Sequence, residues 1–504
     1  MTKSFYITTP IYYVNDRPHI GHAYTTIACD VLARFKRLDG YHVKFLTGTD
    51  EHGQKVEKSA KEKGVAPKAF VDDVSQHFRE LTGLLNISND DFIRTTEPRH
   101  IKSAQGIWKK LEESGDIYLG SYSGWYSVRD EAYYAESELI EGKAPTGAPV
   151  EWVEEPSYFF KLSKWQEPLL KFYKENPGFI APESRRNEVI RFVEGGLNDL
   201  SISRTTFSWG IPVPGNDKHI MYVWLDALVN YLTAVGYPDE SNAELREFWP
   251  NVMHMVGKDI LRFHAVYWPA FLMSANLLPP QRVFAHGWWT IEGEKMSKSL
   301  GNVVAPQDLV SQYGLDQTRY FLMREVPFGN DGNFARETMV NRINSELANT
   351  IGNLVQRTLS FIFKNCDGKL PDAKVDTKHY GALLDEVRNH IEAQAFHKAL
   401  DVIIGLANSA NEKIDKAAPW TLKKQGTPES LANMRQVLVE LAEDIRVIAI
   451  LLQPFVPQAA AAILDQLGIA ADQRVFNAVE VPLKSGTPIH QPQGVFPRIE
   501  AKAA

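Results

Sequence analysis

Residues 4 to 50 impose the tightest restriction on what this chain can fold into. A short β-prone run, SFYITT, is followed after a loop by Tyr24, Ile27, Ala28, Val31, Leu32, Phe35 and Leu38 at helical spacing, which DG at 39–40 stops. YHVKFLTGTDEHG then reads as a second strand running into a polar loop. Strand, loop, helix, strand is the opening βαβ unit of a parallel sheet. A similar switch recurs in VMHMVGKDILRFHAVYW, where VMHMVG reads as a strand and Asp259 as a candidate helix cap. Between the two lies a stretch of different texture, about 117–215, crowded with Tyr, Trp, Gly, Pro and Glu, which reads as an inserted small domain. From about 335 onward, HKALDVIIGLANSANEKID and MRQVLVELAEDIRVIAILLQPF predict a helical bundle.

With 504 residues, 44% of them hydrophobic, the chain can bury the cores of about two to four domains of roughly 100 to 200 residues each. The net charge of −7 carries no long block of one sign, so any contact with nucleic acid must come from a local patch. Only Cys29 and Cys366 occur, which excludes a disulfide framework and points to a reducing compartment. MTKSFYITTPIYY has no secretory pattern, and no run reaches the ~18 apolar residues of a membrane span, so a cytoplasmic location is expected, with no membrane partner.

PHIGHAY places His19 and His22 three residues apart around Gly21, at the loop-to-helix junction after the first strand. Three readings are open. A zinc site would need a third ligand, for which Asp50 and His52 are conceivable, but nothing in the spacing fixes them. A core histidine would suit a helix interior better than this junction. Phosphate binding fits best: a helix N-terminus offers unpaired N–H groups and a positive dipole end, Gly21 permits close approach, and imidazoles can donate to anionic oxygens. Far downstream, TIEGEKMSKSLGN presents Lys295 and Lys298 in a polar turn.

HIGH at 19–22 and KMSKS at 295–299, in this order, are the two signatures of class I aminoacyl-tRNA synthetases, and the chain resembles the bacterial-type methionyl members of that family. The resemblance runs from TTPIYYVNDRPHIGHAYT through FLTGTDEHGQK, YVWLDALVNYL, GKDILRFHAVYWPA and HGWWTIEGEKMSKSLGN to GNLVQR and APW, nearly the whole length. It implies an α/β fold: a Rossmann-like parallel-sheet catalytic domain in two halves, 1–116 and 216–278, with a connective domain inserted at 117–215. A KMSKS-bearing stem-contact region at 279–334 and an α-helical anticodon-binding bundle at 335–504 would follow.

The resemblance also implies the chemistry. Methionine would be activated on ATP, with magnesium accompanying the nucleotide, and passed to the 3′ end of methionine tRNA, initiator tRNA included. His19 and His22 would contact ATP phosphate oxygens, with Gly21 on the adenine side, while Lys295 and Lys298, with Ser297 between them, would close on the departing pyrophosphate. Asp50 would pair with the substrate ammonium. Ile11, Tyr13, Trp224, Ala227, Leu228, Tyr231, Ile260 and His264 would wall the methionine slot, with Tyr231 and His264 near the thioether sulfur. Asn353, Arg357 and Trp420 would read the anticodon, the tryptophan stacking on an unpaired base.

One departure from the family pattern stands out. Where many relatives carry Cys-x-x-Cys pairs for zinc, this chain has Ser127, Asp130, Ala144 and Gly147. No protein-bound metal is expected, and the knuckles would be held by packing around Trp125, Tyr126, Tyr133 and Tyr134. The absence of an appended oligomer-binding domain leads to the expectation of a monomer. The nearest alternatives are another class I synthetase, the cysteinyl type, and a small-molecule nucleotidylyltransferase; the first would want zinc thiolates and the second would leave the C-terminal helices without work.

Overall fold

The computed structural model describes residues 3–14, 17–130, 132–295 and 303–500, leaving aside the side chains of Ala132 and Lys295. The backbone divides into two compact units, one formed by 4–18 and 43–286, the other by 1–3, 19–42 and 287–504.

The first unit is built on a seven-stranded sheet whose strands are β1 (Ser4–Thr8), β2 (Tyr12–Tyr13), β3 (His42–Asp50), β4 (Asp91–Arg94), Ile180–Ala181, Val252–Gly257 and Arg282–His286. β1 runs parallel to Val252–Gly257, with Thr8 opposite His254, and that strand runs parallel to Arg282–His286. On the other side of β1, β3 lies parallel to both β2 and β4, with Tyr13 opposite Asp50 and Thr49 opposite Arg94. β1 and Val252–Gly257 are buried almost without alternation, as strands covered on both faces are. Tyr6, Leu46, Ile93, Trp108, Val256 and Trp268 belong to one hydrophobic cluster around this sheet. Asp259 does not cap a following helix: the tight turn Lys258–Ile260 begins before it, so Asp259 lies inside the turn.

The inserted segment folds as a long antiparallel pair, Ile117–Ser127 against Glu151–Phe160, with Trp125 opposite Trp152 and the short strand Ala132–Tyr134 alongside. Aromatic packing is only part of what holds it. The guanidinium of Arg204 lies 4.0 Å from the ring centre of Tyr126 and 4.9 Å from that of Tyr133. Its Nε sits 2.6 Å from Glu155 Oε1, off the N–H axis, so the contact is ionic rather than an aligned hydrogen bond. Both groups are buried, where a charge without its partner would be costly.

The second unit contains α1 (Ile20–Leu38), a three-stranded sheet from Trp289–Ile291, Glu294–Lys295 and Gly332–Phe334, and the C-terminal helices. Arg319, fully buried on the helix Leu315–Arg324, bonds to Asp30 of α1 at 2.6 Å and to the carbonyls of Pro454 and Phe455 at 2.8 and 3.1 Å. Fixed donors on one guanidinium thus join three elements. The bundle includes Phe396–Ala417 and Pro428–Leu452, and a ten-residue π-helical stretch, Ile343–Gly352, runs directly into the helix Asn353–Asn365.

Candidate functional site

In the second unit, His19 is the N-cap of α1. Its Nδ1 accepts the N–H of Gly21 at 3.1 Å, while Nδ1 of His22 accepts the N–H of His19 at 3.0 Å. A backbone N–H can only donate, so both Nδ1 atoms are unprotonated and each neutral ring carries its proton on Nε2. Burial favours this neutral form, pulling His19 from its ordinary 6.5 to about 4 and His22 well below 6.5, the latter helped by the neighbouring His19. Gly21 has a local reason: a methyl there would lie 3.0 Å from His19 Cε1, so the folded-back imidazole itself occupies the space glycine leaves. The two rings, 3.9 Å apart, give a helix start whose histidines are N–H donors without being charged. The backbone of Lys295 lies in a short strand; its side chain, Ser297 and Lys298 lie outside the described residues.

The first unit holds the candidate residues of the methionine slot. Asp50, buried, ends β3 beside Tyr13, whose ring is 5.3 Å from the Lys55 ammonium. Leu228 and Tyr231 lie in the main hydrophobic cluster, with Ile11 and Ile260 packed against it. WLDALVNY is two short helices, Val223–Leu228 and Asn230–Thr233, rather than one, and both Ala227 and Leu228 are buried. Tyr231 and His264 are each 1% exposed and meet at 2.7 Å through the hydroxyl and Nε2. His264 Nδ1 donates to the Ile260 carbonyl at 2.9 Å, which leaves Nε2 as acceptor and makes the Tyr231 hydroxyl the donor. Burial keeps His264 neutral, lowering it to about 4.

Sequence reasoning missed several contributors. Phe263 stacks on the Trp224 indole, ring centres 3.6 Å apart and 7° from parallel. His254 packs against Tyr231, ring centres 4.1 Å apart, and is itself held by Thr8 at 2.8 Å. Asp226 bonds to His52 and His100; its signal was an acidic residue inside the apolar run VWLDAL, which can be buried only with partners.

Ser127, Asp130, Ala144 and Gly147, the positions matched to zinc ligands by the resemblance, do not offer a metal-ligating set. Ser127 Oγ accepts the Asp130 N–H at 3.2 Å, Asp130 accepts the hydroxyls of Tyr134 and Thr146, and Ala144 and Gly147 have no ligating side chain. Among the described residues no group of three His, Cys, Asp or Glu side chains could hold an ion.

On the bundle, Trp420 is 45% exposed at the start of Pro419–Gln425, past the left-handed turn at Ala418. The Arg357 guanidinium lies 5.5 Å from its ring centre and bonds to Asp415 at 2.6 Å. Asn353 is exposed one turn before Arg357 on the same helix. An exposed indole has the chemistry to stack on an unpaired base.

The family described as "tRNA synthetases class I (M)" matches residues 5–149 and 146–359, and the "Anticodon binding domain of methionyl tRNA ligase" matches 373–504. The chain is 57% identical to the methionine–tRNA ligase of Rickettsia bellii, covering 99% of this chain and 100% of that one, and 54% identical to that of Brucella suis, covering 98% of each. Among solved structures it is similar to the Mycobacterium tuberculosis methionyl-tRNA synthetase in complex with methionyl-adenylate, with a TM-score of 0.96 and 51% identity over 99% of this chain and 100% of that chain. The free form of the Mycobacterium tuberculosis enzyme matches with a TM-score of 0.90 and 48% identity over 99% of each chain.

Proposed function

This chain belongs to the class I tRNA synthetases of the methionine type, and from that premise we propose how its residues divide the work. The enzyme joins L-methionine to ATP, forming methionyl-adenylate and pyrophosphate, and then transfers methionyl to the 3′ end of methionine tRNA. In the first step a carboxylate oxygen attacks the α-phosphorus and the phosphorus–oxygen bond to pyrophosphate breaks. Such a displacement asks the protein chiefly for positioning and for hydrogen bonds to shifting negative charge.

His19 and His22 supply those bonds through Nε2–H, and the capping of both rings through Nδ1 is the observation that carries this assignment. Neutral imidazoles suit the task, since they donate without giving up a proton near pH 7. Lys295, Ser297 and Lys298 contact the phosphates that leave, and magnesium accompanies the ATP. No zinc takes part. Asp50 accepts the methionine ammonium, while Ile11, Tyr13, Trp224, Ala227, Leu228, Tyr231, Ile260 and His264 line the slot for the side chain. The Tyr231 hydroxyl, its proton committed to His264, turns lone pairs rather than a donor toward what the slot holds. Asn353, Arg357 and Trp420 read the anticodon of methionine tRNA, initiator tRNA included. The enzyme works as a monomer in the cytoplasm.

Amino-acid-dependent ATP–pyrophosphate exchange across all twenty amino acids is the test. Exchange with methionine far above the other nineteen is expected; comparable exchange with cysteine, or none with any amino acid, would overturn the reading.

A further inference from the structure

The side chain of Asp226 is fully buried and accepts two hydrogen bonds of 2.6 Å, one from His52 Nδ1 and one from His100 Nε2. The three groups come from three elements. His52 stands two residues past Asp50, His100 lies on the helix Pro98–Glu113, and Asp226 lies on Val223–Leu228 between Trp224 and Leu228. A carboxylate can only accept, so both facing nitrogens carry protons. The other nitrogen of His100 is 3.3 Å from the Thr233 hydroxyl, and the His52 ring is edge-on to Trp209. Burial works against the charge on Asp226, but the His52 charge and hydrogen bonds from both rings outweigh it and hold the carboxyl at about 2. No step of the reaction assigned above uses any of these groups. Three buried ionisable side chains that do no chemistry are retained most plainly for registry.

We propose that Asp226 is a positioning residue for methionine binding, tying the Asp50–His52 strand end to the helix that carries Trp224, Ala227 and Leu228 and so fixing the spacing between the ammonium partner and the apolar wall of the slot. This rests on the assignment of that slot. The tie is specific in its polarity. Asn at 226 can accept from one ring only, and its amide N–H₂ confronts the proton of the other, so one ring must change tautomer or move. A misplacement of about 1 Å in a binding constellation costs up to about 100-fold.

Pyrophosphate exchange on the full chain, with active-site titration and separate KM values for methionine and ATP, tests the proposal. Asp226→Asn is expected to raise the methionine KM by about 10- to 100-fold, leaving the ATP KM and the fraction of active sites unchanged. His52→Asn sets an amide N–H where Nδ1–H stood, and His100→Gln does so for Nε2–H. Both should therefore stay near wild type, while His52→Ala and His100→Ala should behave like Asp226→Asn. The proposal is overturned if the methionine KM is unmoved, if both KM values rise together, or if the amide variants fare no better than alanine. Should Asp226→Asn fail to fold, the His52 pair decides alone. Asp50→Asn serves as the control: methionine KM unchanged there refutes the slot itself, whereas a rise there with none in Asp226→Asn refutes only the tie.

Discussion

Trp420→Ala separates recognition of tRNA from adenylate chemistry, and the structure sets the size of each effect. The indole is 45% exposed, and the Arg357 guanidinium lies 5.5 Å from its ring centre. Its removal forfeits an exposed cation–π contact of about 0.5–1 kcal/mol together with the packing of a half-buried ring, less than the about 3–5 kcal/mol for a core tryptophan. The melting shift should stay below that of a core tryptophan truncation. If an unpaired base stacks there, the lost stacking of about 1–3 kcal/mol lowers kcat/KM for tRNA charging by about 5- to 160-fold. Tryptophan fluorescence or calorimetry on the same preparation gives the melting curve, and methionine-driven pyrophosphate exchange, which needs no tRNA, should match wild type. Equal losses in exchange and charging, intact charging, or a core-sized loss of stability would each refute the reasoning.

Asp50→Asn removes a charge-assisted bond to the substrate ammonium, so methionine affinity measured by calorimetry should fall by about 1.5–3 kcal/mol; an unchanged affinity removes Asp50 from the site. His22→Ala should lower the single-turnover rate of adenylate formation by about 100-fold with little change in methionine KM, and the opposite split would reassign it to ground-state binding. Because burial holds the folded pKa of His264 at about 4 against an ordinary 6.5, the unfolded chain takes up the extra proton first. The stability this neutral ring contributes is whole above pH 6.5 and is lost as pH falls toward 4, about 3 kcal/mol in all. Urea unfolding at pH 7.5 and 4.5 should show the loss, with a shallower fall in His264→Gln; identical slopes would count against it. Metal analysis of the purified chain should find no stoichiometric zinc, and exchange should survive a chelator once magnesium is restored; one tightly held zinc per chain would contradict the reading of Ser127 and Asp130.

What the sequence determined by itself is what depends on near neighbours. The strand–helix–strand opening is a matter of periodicity over a few turns. The histidine cap of α1 closes within four residues, from His19 to His22, so its motif carries its geometry with it. The spaced signature blocks identified the family because each is a local conformation bound to one chemistry. Other features depended on partners that no spacing foretells. Asp226 meets His52 and His100 across 174 and 126 residues, and Arg319 meets Asp30 across 289. The insert was read as aromatic packing, yet a guanidinium from Arg204, 71 residues past Tyr133, sits against those rings. The helical pattern around Trp420 suits a core position and an exposed one equally; its 45% exposure, just past the left-handed Ala418, belongs to the folded bundle. Burial and pairing are properties of the closed chain: a side chain's desolvation, and the partner that offsets it, exist only once distant segments have packed.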